Sequence, residues 1–376
     1  MQLLDFTTYS CDLPAAFLDR AKQDGYNYVL VETPLNPAFW DTAQGIVISD
    51  SLRIKLTAAF VAANNHGLRL IPLYQMMHGC ATIWANINHN IARTWNTFQW
   101  VDSKGTPHYI GCPSLSSDPY GQRQMDSTVN QLILTTKTAF DSAHLSYPLE
   151  YIHLGHDEFM ATYDAPRMLN IATTSLRDRA YIWTFDKNHD NQLDSGEVQE
   201  GIQSLIAQEI DRRVSQIQRI CGSETKVMLW GDMFDPQFNG GTHWRCLMLG
   251  STKTITTAGA LSKISSNGRS NILFMPWNYS AYVSDENGFS GHYYDSKTAF
   301  QYFKDNNCRF AWTYAIDSGT ISSDNIKQLN SYVCASGLTT FQGYCGGYCA
   351  ATWYPWNPQN KAFRVLEYIA QTVDSN

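Results

Sequence analysis

Charge is scarce in this chain. Only 16% of its 376 residues are Asp, Glu, Lys or Arg, and the balance is acidic, at −7. No cluster of lysines or arginines stands out, and a nucleic acid backbone needs one, so that partner class is excluded. Long apolar runs are missing as well. None approaches the ~20 residues that span a bilayer. Met1 leads into the short stretch LLDF, with neither a basic segment nor an extended apolar region, so no signal peptide is expected in this chain. The nine cysteines lack the paired C-x-x-C spacing of a zinc site, and their odd number leaves at least one thiol outside any internal set of disulfides. Cys345 and Cys349, close together in a glycine-rich stretch, are the candidate exception to otherwise scattered cysteines.

Aromatic residues are plentiful instead, with 21 Tyr, 17 Phe and 11 Trp. An aromatic, charge-poor surface suits a sugar or another neutral ligand. The hydrophobic fraction of 44% is enough for one large domain or two ordinary ones.

Apolar runs of strand length recur along the chain, mostly alternating with helical patterns: residues 3–8, 26–32, 68–75, 151–158, 226–233, 271–279, 308–316 and, more weakly, LTTFQGY at 338–344. Helices are expected from a cap at Asp12 to a stop at Gly25, over 51–67, from Asp118-Pro119 onward, and over 359–373. The helix between 234 and 270 is hard to place. Eight nearly continuous apolar strands with helices between them predict a single (β/α)8 barrel covering 1–376. In such a barrel, catalytic groups lie at the C-terminal ends of the strands. Those ends carry Glu32, Gln75 and His78, Asp157 and Glu158, Trp230 and Asp232, Trp277 and Tyr279, and Trp312 and Tyr314. Adjacent carboxylates such as Asp157 and Glu158 are costly in a low-dielectric place, because one tends to stay protonated. The same pair at a loop start would also cap a helix.

IHLGHDE resembles the H-x-G-G-D-E motif of family 20 glycoside hydrolases, the β-N-acetylhexosaminidases. IPLYQMMHG, LVE, LWGDM and FMPWNY resemble the third-, second-, fifth- and sixth-strand sequences of that family's hexosaminidase D branch. Two departures stand out. His156 occupies a position where the family usually has a small residue, and the third-strand motif is one residue short before its histidine.

The resemblance implies an exo-acting, retaining hydrolase in which the substrate's own 2-acetamido oxygen attacks the anomeric carbon. It assigns Glu158 as acid and then base, and Asp157 to the acetamide N–H. Burial and a neighbouring anion would raise the acid's pKa toward neutrality. Tyr279 is the candidate donor to the acetamide oxygen. Trp312 and Trp353 are candidates for an apolar floor under the sugar, and Trp230, Asp232 and Trp277 for pocket lining, with Asp232 accepting from sugar hydroxyls. Glu32 and His78 are further candidates for ligand contact. Each of these aromatic residues would serve equally as core, and Asp232 as a helix cap. His153, inside the strand, reads as a satisfied core histidine. Two alternatives stay open: a glycosidase with a protein nucleophile such as Asp232 or Asp317, and a non-catalytic, calcium-stabilised glycan-binding barrel.

A second motif is separate. DKNHDNQLDSGE, at 186–197, matches the EF-hand loop: Asp186, Asn188, Asp190, Gln192 (through its carbonyl), Asp194 and Glu197 take positions one, three, five, seven, nine and twelve. Asn191 stands where Gly is usual. Hard oxygen donors at this spacing predict structural Ca²⁺ in a helical insertion at about 164–220, between the fourth and fifth strands. An ion-binding loop of this kind suits an extracellular setting, whereas the hexosaminidase D resemblance suits the cell interior.

Overall fold

The computed structural model describes residues 2–7, 13–33, 40–41, 47–74, 76, 98–101, 107–110, 119–156, 187–190, 195–237, 247–249, 253–278, 284–285, 294–315 and 345–352. Eight parallel strands form a ring: β1 Gln2–Thr7, β2 Tyr28–Glu32, β3 Arg69–Leu73, β4 Tyr151–His153, β5 Lys226–Trp230, β6 Ile272–Met275, β7 Arg309–Ala315 and β8 Cys345–Thr352. Each pairs with its successor, and β8 returns to β1, so the sheet closes on itself. Around it lie α1 Ala15–Gln23, α2 Asp50–Asn65, α3 Pro119–Ser142, α4 Ser195–Cys221, α5 Ala260–Lys263, α6 Ser266–Ser270 and α7 Ser296–Asp305.

The first helix starts at Ala15 with Pro14 as its N-cap; Asp12, the expected cap, lies outside the described residues. Gly25, at φ 85°, follows that helix. Gly67 takes φ 71° two residues after α2, in the left-handed region that glycine enters at little cost. The α2 residues Leu52, Leu56, Ala59, Phe60 and Ala63 are all buried, as their helical spacing dictates. Val129, Leu132, Ile133 and Phe140 of α3 are buried as well.

Strand register assigns side chains to two faces. Leu30 pairs with Ile71, Leu73 with His153, His153 with Met228 and Met228 with Leu273, so these share one face, together with Trp230, two residues past Met228. The opposite face meets helices. Phe274 packs on Phe303 of α7 at a ring separation of 5.2 Å, and Phe310 stacks on Phe300 of α7 at 5.0 Å. The first set therefore lines the barrel interior. At the N-terminal end of the strands, Tyr28 donates to Glu150 at 2.7 Å and Arg69 pairs with the same carboxylate at 2.6 Å, tying the starts of β2, β3 and β4 together.

One strand departs from the sequence expectation. The eighth ring strand is Cys345–Thr352, the glycine-rich stretch, rather than LTTFQGY. Glycine-poor apolar content pointed to the wrong segment, because ladder pairing with β1 and β7 does not need large side chains. Cys349 is buried in that strand. The helix between β5 and β6 is hard to see because it is split into α5 and α6, four and five residues long.

The helix expected to flank the calcium loop on its C-terminal side is α4, the barrel's own helix between β4 and β5. It packs against α3, α5, α6 and β5. The expected closing helix lies outside the described residues.

Candidate active site

The ends of β4, β5 and β6 meet through their backbones. Leu154 N–H donates to Met228 O at 3.0 Å, Trp230 N–H to Gly155 O at 2.9 Å, and Gly231 N–H to Met275 O at 2.9 Å. On the β3 side, Met76 N–H donates to Leu154 O at 3.1 Å. The chain leaves β4 through two consecutive left-handed residues, Gly155 at φ 74° and His156 at φ 66°. Left-handed backbone is routine for glycine and uncommon for histidine. This double turn is the immediate approach to Asp157 and Glu158, which themselves lie outside the described residues.

Two histidines frame the turn. Gly155 N–H donates to His153 Nδ1 at 2.9 Å. That contact leaves Nδ1 unprotonated, so the neutral ring carries its proton on Nε2. Among the described residues, His153 Nε2 has no hydrogen-bond partner, so this histidine is less satisfied than its sequence context suggests. Its ring packs on that of Trp230, with centroids 4.6 Å apart on the interior face. His156 Nδ1 donates to Leu154 O at 3.0 Å, so the neutral His156 has the opposite tautomer. Both side chains are fully buried. Burial, and then the charge His156 would carry, hold His153 well below the usual histidine range. Burial pushes His156 down to about 4, with Arg213 adding to the shift and Glu209 and the Leu154 carbonyl opposing it.

Trp230, Trp277 and Asp232 are all buried around this mouth. Trp277 pairs with Thr313, which places it on the interior face, and Asp232 opens a short 3-10 turn, Asp232–Phe234, just after β5. Glu32 ends β2 in register with Leu73, half-buried on the same face. The structure thus gathers Glu32, His153, Trp230, Asp232 and Trp277 at the C-terminal end of the barrel. Trp312 stands apart. Its ring meets Phe300 of α7 edge-on at 4.6 Å, which makes it a packing residue between sheet and helix. His78, Tyr279 and Trp353 lie outside the described residues.

One cluster has no counterpart in the sequence reading. On α4, Arg213 binds Glu209 through Nε at 2.5 Å and Nη2 at 2.9 Å, and Asp126 of α3 through Nη1 at 2.8 Å. It also donates to Gln216. Burial works against the Glu209 carboxylate, but the charges of Arg213 and Arg212 outweigh it and keep the carboxyl below its usual range. The available signal was positional. Glu209, Arg213 and Gln216 fall on the same helical stripe as the buried Ile206, Ile210 and Ile217.

Of the calcium-loop positions, Asn188, Asp190 and Glu197 are described. Glu197 Oε1 accepts from the backbone N–H groups of Lys187 and Asn188 at 3.1 and 3.4 Å. Asn188 Nδ2 donates to Asp190 at 3.1 Å. These contacts bring the twelfth position against the second and third. Among the described residues no three acidic, histidine or cysteine side chains converge as a metal site. Asp186, Gln192 and Asp194 lie outside them.

No family model and no curated protein matches the chain. Solved structures do. The catalytic domain of a β-amylase from Paenibacillus polymyxa aligns with a TM-score of 0.55 at 12% identity, over 100% of this chain and 98% of that one. A GH5-4 broad specificity endoglucanase from an uncultured bacterium aligns at 0.54 and 10% identity, over 96% and 85%. A GH20 exo-β-N-acetylglucosaminidase from Vibrio harveyi aligns at 0.51 and 10% identity, over 99% of this chain and 53% of that one, so the chain spans about half of that enzyme's length. At these identities the likeness is one of fold, and the chain is an α/β barrel.

Proposed function

We propose that the protein is a glycoside hydrolase and, within that class, an exo-acting retaining β-N-acetylhexosaminidase. It would remove terminal β-linked N-acetylglucosamine or N-acetylgalactosamine from a glycan. The observation that carries the reading is the place of the acidic pair in the chain. Asp157 and Glu158 directly follow the double left-handed turn at the C-terminal end of β4, where a barrel of this kind concentrates its chemistry. Support comes from the motif resemblance and from the activities of the three solved structures named above, each a glycoside or polysaccharide hydrolase.

Most retaining glycosidases need a carboxylate nucleophile about 5 Å from the acid. Two acids adjacent in the sequence suit a different division of labour. Glu158 protonates the departing glycosidic oxygen while Asp157 accepts the acetamide N–H and steadies the positive charge that develops on it. The acetamide oxygen bonds to the anomeric carbon as the leaving group departs, and Tyr279 donates to that oxygen. Glu158, now a carboxylate, takes a proton from water as it attacks, which gives retention overall. Trp230 and Trp277 offer apolar surface to the sugar ring, with Trp353 as a further wall. Glu32, His78 and Asp232 take the hydroxyls. Ca²⁺ would cross-link the loop 186–197 through Asp186, Asn188, Asp190, the Gln192 carbonyl, Asp194 and Glu197, in a structural role.

Inhibition by a thiazoline mimic of the cyclised acetamide tests this reading. Tight binding, together with loss of turnover in Glu158→Gln, is expected. Weak binding beside intact turnover would instead indicate a protein nucleophile.

A further inference from the structure

Where the motif would usually carry a small residue, this chain has His156, held at φ 66° with its ring fully buried. Glycine would adopt that backbone freely, whereas a Cβ is strained in it. A buried ring on strained backbone needs compensation from its surroundings. The contacts supply it. His156 Nδ1 donates to Leu154 O, the same carbonyl that accepts Met76 N–H from the β3 side. Between them, Gly155 has both backbone groups engaged, its N–H on His153 Nδ1 and its C=O on Trp230 N–H. The ring also lies within electrostatic reach of Glu209 and Arg213, the buried pair of α4 that Arg213 anchors to Asp126 of α3.

We infer that His156 is a positioning residue. Its ring ties the turn after β4 back onto the Leu154 carbonyl, beside the bond that carbonyl accepts from Met76 on the β3 side, and so sets the direction in which the chain enters Asp157 and Glu158. The inference rests on the proposed function for the role of those two acids. The bracing itself stands on residues 153–156 with Met76 and Trp230. His153 takes part as the acceptor for Gly155 N–H, and His156 supplies the bond that a glycine at its own position would lack.

The test compares His156→Gly with His156→Asn. Glycine keeps the left-handed backbone and loses the ring. Asparagine tolerates the same backbone and places its amide nitrogen where Nδ1 stands, so it keeps the donor to Leu154 O. Two readouts are taken: amide hydrogen exchange at Gly155 and Trp230, and kcat and KM on an aryl β-N-acetylglucosaminide. In the glycine protein the two amides should exchange roughly 2–13-fold faster, the change expected from one lost side-chain hydrogen bond. Its kcat should fall by up to ~10²-fold while KM stays nearly constant, as for a misplaced reacting group. The asparagine protein should recover most of both effects. Should the glycine protein fail to fold, His156→Ala against His156→Asn carries the same comparison. Wild-type exchange and kcat in His156→Gly, or an asparagine protein no better than the glycine one, would overturn the inference. If wild-type protein turns over nothing, the functional reading falls alone, and amide exchange still decides the bracing.

Discussion

Arg213 holds Glu209 by two hydrogen bonds inside the helical layer, at 2.5 and 2.9 Å, and neither side chain is more than 2% exposed. A buried pair is stable only while both partners are present, since removing one strands the other charge out of water. Arg213→Met and Glu209→Gln should each cost ~3–5 kcal/mol in urea unfolding. Replacing both with apolar residues of similar volume should cost well under the sum of the two.

The two histidines make stability depend on pH. His153 and His156 are neutral in the folded protein, with His156 near 4, against ~6.5 for the unfolded chain. Between those values the unfolded state binds protons that the folded state refuses. Their contribution is therefore complete above pH ~6.5 and is lost as the pH falls toward 4. For His156 alone the loss amounts to ~3 kcal/mol. The Glu209 carboxyl, held below its usual range, adds a further loss once the pH drops under ~4.5. Thermal unfolding from pH 7.5 to 4.5 should show a falling Tm, with a shallower slope in His156→Asn. A flat profile over that window would contradict the burial of both rings in neutral form.

Gly231 sits where β5 and β6 come closest. A Cβ there would lie 2.7 Å from Pro276 N and 2.8 Å from Pro276 Cα, and backbone atoms cannot rotate aside. Gly231→Ala should cost ~1–3 kcal/mol by overpacking. Since Trp230 and Trp277 flank this approach, the substitution should also raise KM for the substrate.

The proposed Ca²⁺ site predicts a rise in Tm on adding CaCl2. At a hundredfold excess over Kd the gain would be ~2.7 kcal/mol. Glu197→Ala removes the proposed ligand at the twelfth position and should abolish the shift. Equal shifts in both proteins would place the ion elsewhere.

Much of the barrel is legible from the chain because strands buried on both faces must be apolar throughout, and the runs around Val29, Ile71, Val227 and Ile272 are. Cys345–Thr352 escapes this logic, since its glycines and alanines fill a ring position by backbone pairing. Side-chain direction is harder to read. Trp230 ends β5 and Trp312 lies midway along β7, and side-chain alternation on each strand puts one inside the barrel and the other against Phe300. Glu209 and Arg213 look like an ordinary exposed i,i+4 pair until α3 closes over them. The left-handed turn at His156 had a trace in the sequence, a histidine where a small residue is usual, but what braces it depends on two other segments of the chain, at Met76 and Trp230.

In the proposed mechanism the sugar supplies its own attacking oxygen. The most direct measurement is the ratio of kcat/KM for aryl β-N-acetylglucosaminide and β-N-acetylgalactosaminide to that for the matching plain glucoside and galactoside. At least one N-acetylated substrate should be cleaved with retention, and the plain sugars should be turned over orders of magnitude more slowly. Comparable rates on the plain glycosides would contradict the account.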